Sequence, residues 1–272
     1  MITVLGGSGF VGSHVVAEAI ARGIECHAPV RDDQLEGKEL GHVIYCVGLT
    51  ADFRQKPFET VEAHVSHLAH VLKNTNYDSL LYLSSTRIYG RKTGAAMEED
   101  EIVVEPRNGD HLYNISKVMG ESLALNASGK TKVARLSNVY GRDFKSRNFL
   151  VEVIRAALAG GKVTLRTTLE SAKDYINVND VAKALLDVVD KGKSRVYNVA
   201  TGVNVTNREI MEKLSAITGC ACEVAEGSDT FIAPLINVDK IKAETGFAPA
   251  RLMDEMEWLV DMYSRKMGPK HG

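Results

Sequence analysis

Cysteine is scarce in this 272-residue chain, and what there is of it excludes two classes of protein. Cys26, Cys46, Cys220 and Cys222 form no CxxC pair and no Cys/His spacing of the zinc-binding kind, so neither a disulfide scaffold nor a zinc module is expected. We read all four as reduced thiols in a reducing compartment. Neither sign of charge is in excess. Lys and Arg number 33 against 35 Asp and Glu, a net charge of −2, and no basic run occurs, so nothing points to a nucleic-acid partner. No apolar run reaches spanning length, and no basic segment followed by an apolar one opens the chain. No membrane partner is expected, and the cytoplasm is the default location. No linker, low-complexity tract or internal repeat divides the sequence. What remains is ordinary globular composition, 44% hydrophobic and 25% charged.

The opening carries the first chemistry. Ile2–Leu5 reads as a buried strand, Ser13–Arg22 as a helix closed by Gly23, and 24–30 as a second strand. Between the first strand and the helix lies Gly6-Gly-Ser8-Gly9-Phe10-Val11-Gly12. Glycines at this place make the tight turn, let the backbone approach a pyrophosphate and allow close helix–strand packing. The helix N-terminus adds free N–H groups for the phosphates. At the end of the second strand an acid would favour NAD, but the chain reads Val30-Arg31, and arginine can pair a 2′-phosphate. NADP is therefore expected, with NAD possible through Asp32 or Asp33.

Only eleven residues, Arg31–Gly41, precede the third strand at 42–47. There is no room for a helix and a further strand, so a direct crossing is expected and the second strand becomes a sheet edge. Gly48-Leu-Thr50 ends the third strand. A helix at 57–73 carries His64, His67 and His70, which we take as surface or interface histidines, with no carboxylate or thiol to complete a metal site. Strand 79–83 leads to Ser84-Ser85-Thr86-Arg87, where the Ser85 hydroxyl would lie at the carboxyl end of the sheet. The loop from Arg91 to Asp110, with Glu98-Glu-Asp-Glu101, reads as a flap near the site or as a solvated acidic loop.

Tyr113-Asn-Ile-Ser-Lys117 places a phenol and an ammonium on one helix face. Lowering a tyrosine from ~10 to about 7 takes roughly 4 kcal/mol. Lys117 and a bound positive nicotinamide ring could supply it, turning Tyr113 into a proton exchanger for a hydroxyl or ketone while hydride moves.

Together, Gly6–Gly12, Ser84–Gly90 and Tyr113–Lys117 resemble the extended short-chain dehydrogenase/reductase superfamily, in its nucleotide-sugar epimerase/dehydratase branch. Arg135-Leu-Ser-Asn138-Val139-Tyr-Gly141 resembles that family's RxxNVYG segment, Asp174–Ala182 its RDYIHVDDVA segment and Tyr197–Gly202 its YNVGTG segment. The resemblance implies an α/β, Rossmann-type, doubly wound parallel sheet, shortened by one helix–strand unit. The Rossmann domain would be 1–140, and 141–272 a smaller mixed lobe interwoven with Rossmann segments at about 174–200. It implies Ser85, Tyr113 and Lys117 as the catalytic set. Gly6, Ser8, Gly9, Phe10, Val11, Gly12, Arg31, Val139, Tyr113 and Lys117 would bind the cofactor. Thr50, Ser85, Thr86, Asn138, Arg142 and Lys173 would face the substrate. We assign the cations Arg142, Arg147 and Lys173 either to a substrate phosphate or to the surface as ordinary charges. The helices at 57–73 and 113–127 would form a homodimer.

The departures narrow this. Dehydratases of the family carry Asp-Glu after the catalytic hydroxyl residue, where this chain has Thr86-Arg87, which argues against 4,6-dehydration. His64 replaces a common asparagine, and Lys173 an arginine. The expected activity is that of a nucleotide-sugar 4-ketoreductase or C4 epimerase. The alternatives are an NADP-dependent ketoreductase on a carbonyl without a nucleotide, and a dinucleotide-sensing protein with no turnover.

Overall fold

The central sheet is built from strands that are apolar on both faces, as parallel strands covered on both sides by helices must be. In the computed structural model, which describes residues 1–31, 33–50 and 52–268, six parallel strands form it. They are β1 (Ile2–Leu5), β2 (Cys26–His27), β3 (His42–Tyr45), β4 (Ser79–Ser85), β5 (Thr131–Leu136) and β6 (Val196–Val199), in spatial order β6-β5-β4-β3-β1-β2. The helices Phe10–Ala21 and Val178–Lys191 cover one face, where Val15, Ala19, Val181 and Leu185 pack with Val4 and Leu81. A helical stretch at 57–74 and the helix His111–Ala127 cover the other, with Leu68, Val71 and Ala124 against Val43, Tyr45 and Leu80. This is the Rossmann-like α/β architecture, with the edge unit beyond β2 missing as expected.

Several boundaries differ from expectation for physical reasons. The second strand pairs only through Ile2↔Cys26 and Thr3↔His27, not over 24–30. Pro29 has no N–H to donate to a ladder, and the chain turns away there to cross to β3. The first helix starts at Phe10 rather than Ser13, with Gly9 as its N-cap. The helix after Ala172–Asn177 is capped by Asn177, whose side-chain oxygen accepts from the Asn179 N–H at 2.8 Å. Thr206 and Glu209 form a reciprocal capping box at the start of the helix Asn207–Thr218. The loop after Arg91 is not free. Ala95–Ala96 pairs with Leu235–Ile236, and Glu98 is buried, accepting from the Asn198 N–H at 3.0 Å.

The later segments build a second cluster. Leu150, Ile154, Leu214, Met256 and Tyr263, from three helices, close over Val163 and Leu165 of the strand Lys162–Thr167. Between this cluster and the sheet runs Ala172–Asn177, flanked by Asn138–Tyr140 and Asn204–Thr206. Asp174 on this strand is buried and accepts from the Ser137 hydroxyl (2.6 Å), the Thr201 hydroxyl (2.7 Å) and the N–H groups of Thr201, Gly202 and Val203 (2.8–3.1 Å). One carboxylate thus pins the turn after β6 to the strand of the lobe.

Arg135 on β5 is buried with Glu121 in a pair of 2.7 Å, and also donates to the Tyr89 hydroxyl and the Glu98 carbonyl. It ties the helix His111–Ala127 to the turn after β4 and to the loop. Removing one member of a buried pair leaves the other charge uncompensated. Arg135→Met is expected to lower stability by about 3–5 kcal/mol, read as an earlier urea midpoint with unchanged slope. An unshifted midpoint would show that the pair contributes little.

Candidate active site

The expected site residues gather where the parallel strands end. The glycine turn follows β1, Arg31 follows β2, Thr50 follows β3, Ser85 and Thr86 end β4, and Asn138 and Val139 lie beyond β5. That end of an open α/β sheet is where ligands bind, because strand termini and helix N-termini converge there.

The turn after β1 fits a dinucleotide phosphate. A Cβ on Gly12 would sit 2.2 Å from the Gly6 carbonyl oxygen, so only glycine lets the first helical turn close on the strand. Gly6 has φ +81°, and a Cβ there would meet the Cys46 carbonyl carbon at 3.0 Å. Gly9 differs: its side is open apart from the Gly6 carbonyl oxygen at 3.2 Å. Ser8 and Gly9 are exposed. No side chain caps the helix Phe10–Ala21, and no acid lies in its first turn. The backbone donors and the positive helix end are left for an anion. Arg31 is exposed and lies close enough to His67 to lower that imidazole's proton affinity, after the effects of burial and of His70.

Tyr113 is 4% exposed, on the helix His111–Ala127. Burial raises its pKa above the usual tyrosine value, while the Ser85 hydroxyl, the Arg87 guanidinium and the Thr50 hydroxyl pull it down. This corrects the expectation that Lys117 depresses it. The Lys117 ammonium lies 6.0 Å from the Tyr113 ring centre and donates to the Leu83 carbonyl at 2.9 Å. Burial lowers Lys117 itself to about 7, with Glu121 and Cys46 opposing.

A second correction concerns His64, which is fully buried rather than at a surface. Its Nε2 accepts from the Leu49 N–H at 3.2 Å, so Nδ1 carries the proton. Nδ1–H donates to Ser116 Oγ at 2.8 Å, which donates on to the Tyr113 carbonyl at 2.9 Å. The ring lies edge-on to Tyr113, 5.4 Å between centres. The helix is wide-turned over Glu62–Ser66, and the Tyr45 and Tyr82 hydroxyls donate to the Ala63 and His64 carbonyls. Gly120 makes this approach possible, since a Cβ there would lie 2.7 Å from the His64 carbonyl oxygen. Thr60, Ala63, His64, Leu68 and Val71 are the buried positions of this stretch, so its periodicity was the signal that could have placed His64 inside.

Two further residues were missed as site members. Phe53 is buried beside Tyr113, 5.6 Å between ring centres, and Arg87 stacks over both, 4.9 and 5.5 Å from their centres. Lys173 faces the same region, held low by burial and by Arg87. Asn138 donates to the Asp174 carbonyl at 2.7 Å, its side chain partly exposed. Arg142 is not brought to Lys173. It is exposed in a separate groove with His14, Trp258 and Lys266, because the chain leaves the sheet after Gly141 toward the last helix. Arg147 is exposed and forms no ion pair among the described residues. Among those residues no cluster of His, Cys, Asp or Glu could hold a metal.

A glycine turn at a parallel-sheet terminus, with a buried tyrosine and lysine on the neighbouring helix, defines a nicotinamide-dinucleotide-dependent enzyme of the short-chain dehydrogenase/reductase type. The chain belongs to the NAD dependent epimerase/dehydratase family, whose sequence profile matches residues 33–200. It is 24% identical to the dTDP-4-dehydro-6-deoxy-D-allose reductase of Streptomyces bikiniensis, over 80% of this chain and 81% of that one. It is also 24% identical to the UDP-glucose 4-epimerase of Lactobacillus helveticus, over 80% and 82% of the two chains. Among solved structures it resembles MoeE5 in complex with UDP-glucose and NAD, with TM-score 0.81, 22% identity and 98% and 99% of the two chains covered.

Burial and the Lys117 charge lower the His64 pKa to about 2, against 6.5 for the free side chain. The unfolded chain therefore binds a proton that the folded chain refuses between those values, and stability rises with pH across that window. Wild type is expected to lose about 2 kcal/mol more than His64→Asn between pH 7 and pH 5. Urea unfolding at the two pH values reads it, and parallel losses would show that His64 is not held neutral.

Proposed function

We propose that this protein is a nucleotide-sugar 4-ketoreductase, with C4 epimerisation as the variant chemistry of the same site. The observation that carries the reading is the convergence of Ser85, Thr50 and Arg87 on the buried Tyr113 phenol, at the end of the sheet where the glycine turn also lies. Tyr113 kept protonated by burial is suited to give a proton to a keto oxygen. The Ser85 hydroxyl would hold that oxygen, and Arg87 would stabilise the phenolate left behind. Lys117 donates from its ammonium to the Leu83 carbonyl at 2.9 Å and would bind a ribose hydroxyl and return the proton. When bound, a nicotinamide would supply the hydride for the carbonyl carbon, or take it in the reverse direction. Gly9, Ser8 and the start of the helix Phe10–Ala21 would hold its pyrophosphate, with Phe10, Val11 and Val139 along it. Arg31 at the end of β2 supports NADPH as the reductant, through a 2′-phosphate.

The test is an assay with NADPH and NADH against UDP- and dTDP-linked 4-keto sugars. Consumption of reduced cofactor, faster with NADPH, is the expected result. Interconversion of sugars without net redox would turn the assignment to the epimerase. Tyr113→Phe is expected to lower kcat about 100- to 10,000-fold with cofactor binding retained, and near-normal turnover would remove Tyr113 from its role.

Phe58 is 85% exposed, Met119 50% and Val61 36%, all on the helices 57–74 and His111–Ala127. An apolar face of this kind favours a homodimer through that helix pair. Sedimentation equilibrium is expected to give twice the chain mass, falling to a monomer with Phe58→Asp. A monomeric wild type would exclude it.

A further inference from the structure

Three cations beside the candidate site have no acidic partner. Among the described residues Arg87, Arg91 and Lys173 make no ion pair, although ion pairs engage Arg54, Lys92 and Arg135 close by in the chain. The carboxylate nearest to Arg87 along this edge, Asp110, is taken by Arg54 at 2.5 Å. Arg87 donates to the Asp110 backbone carbonyl at 3.3 Å and meets the Asp110 carboxylate only through space, not in an ion pair. The Lys173 ammonium makes no side-chain hydrogen bond among the described residues and lies only over the rings of Phe149 and Phe231, at 5.6 and 5.7 Å. Arg91 lies over the same Phe231 ring, at 5.4 Å. Lys173 is partly withdrawn from water and repelled by Arg87, so its ammonium is held below its ordinary pKa. Like charges gathered at the edge of apolar rings cost free energy unless an anion joins them.

The position of the anion follows from Arg87. Its guanidinium carbon is 5.5 Å from the Tyr113 ring centre, so an anion bound there lies next to the oxygen that Tyr113 protonates. In a pyranose reacting at C4, the neighbouring carbon C5 carries the C6 substituent, while the diphosphate hangs from C1 across the ring. An anion beside the reacting carbon is therefore the C6 group.

We propose that Arg87 and Lys173 form a carboxylate subsite beside the reacting carbon, so that the sugar taken for C4 epimerisation, the variant chemistry of this site, is a nucleotide-linked hexuronic acid rather than a neutral hexose. The guanidinium offers a planar pair of donors to the two carboxylate oxygens, and the ammonium adds a point charge. The aromatic rings keep water from screening them. This inference rests on the nucleotide-sugar reading and names its substrate class.

The experiment is equilibrium titration of UDP-glucuronic acid and UDP-glucose, and of the dTDP-linked pair, into cofactor-saturated protein. The uronate is expected to bind about 10- to 100-fold more tightly than the neutral sugar, the worth of a charge-assisted contact. Arg87→Met is expected to bring the two affinities within about threefold, while Arg87→Lys, which keeps the charge, retains part of the preference. Equal affinities in wild type, weakened alike by Arg87→Met, would assign the cations to the diphosphate and overturn the carboxylate subsite, with the nucleotide-sugar reading intact. If no nucleotide sugar binds, that reading fails and takes this inference with it.

Discussion

A lysine ammonium is buried at the centre of this protein, and the chain itself must do the work of water around it. Lys117 is 5% exposed, and desolvation of its charge is the largest effect on it. The Leu83 carbonyl accepts one of its protons, and the faces of Tyr82 and Tyr113 lie 5.1 and 6.0 Å away. Much of the surrounding structure can be read as a response. A side chain at Gly48 would crowd the His64 imidazole at 3.1 Å, beside the Lys117 ammonium. His64 is held neutral, so no second cation stands beside the first. Both the wide helical turn and the close helix contact at Gly120 serve to place that imidazole.

What could be read in advance was whatever rests on local spacing. Glycines between a strand and a helix, a tyrosine four residues before a lysine, and a hydroxyl at a strand end all lie in short windows, and the fold brings each to the same sheet edge. Even the missing unit beyond β2 was legible, because eleven residues cannot make a helix and a strand. What could not be read is long-range. His64 was set aside as a surface histidine because its burial depends on Tyr45 and Tyr82 from the sheet reaching its helix. Arg142 follows the same segment as Asn138, yet the turn at Gly141 sends it toward Trp258 and Lys266.

Motifs that look catalytic from their place in a family can prove architectural. Arg135 stands at the head of a conspicuous segment, yet it is spent on Glu121, Tyr89 and Glu98. Asp174 likewise spends its carboxylate on Ser137 and on the 201–203 turn. These two buried charges hold the sheet terminus and the lobe in register, so that Lys173, one residue before Asp174, reaches the cleft from a fixed strand. Arg87 and Lys173 show the opposite property: among the described residues neither forms an ion pair.

That contrast bears on the direction of the reaction. A tyrosine buried between Phe53 and His64 is driven toward the neutral phenol, and the cations at its edge oppose this only in part. An anionic group settling on Arg87 would neutralise the charge that most stabilises the phenolate. Substrate of that kind would raise the phenol's pKa further, which favours holding the proton and opposes giving it up, so that proton uptake from a C4 hydroxyl would depend more on Ser85 and Thr50. The same group would draw the guanidinium toward the substrate and away from the ring. Binding and proton donation would then be coupled through one side chain, which neither the tyrosine nor the lysine could achieve alone.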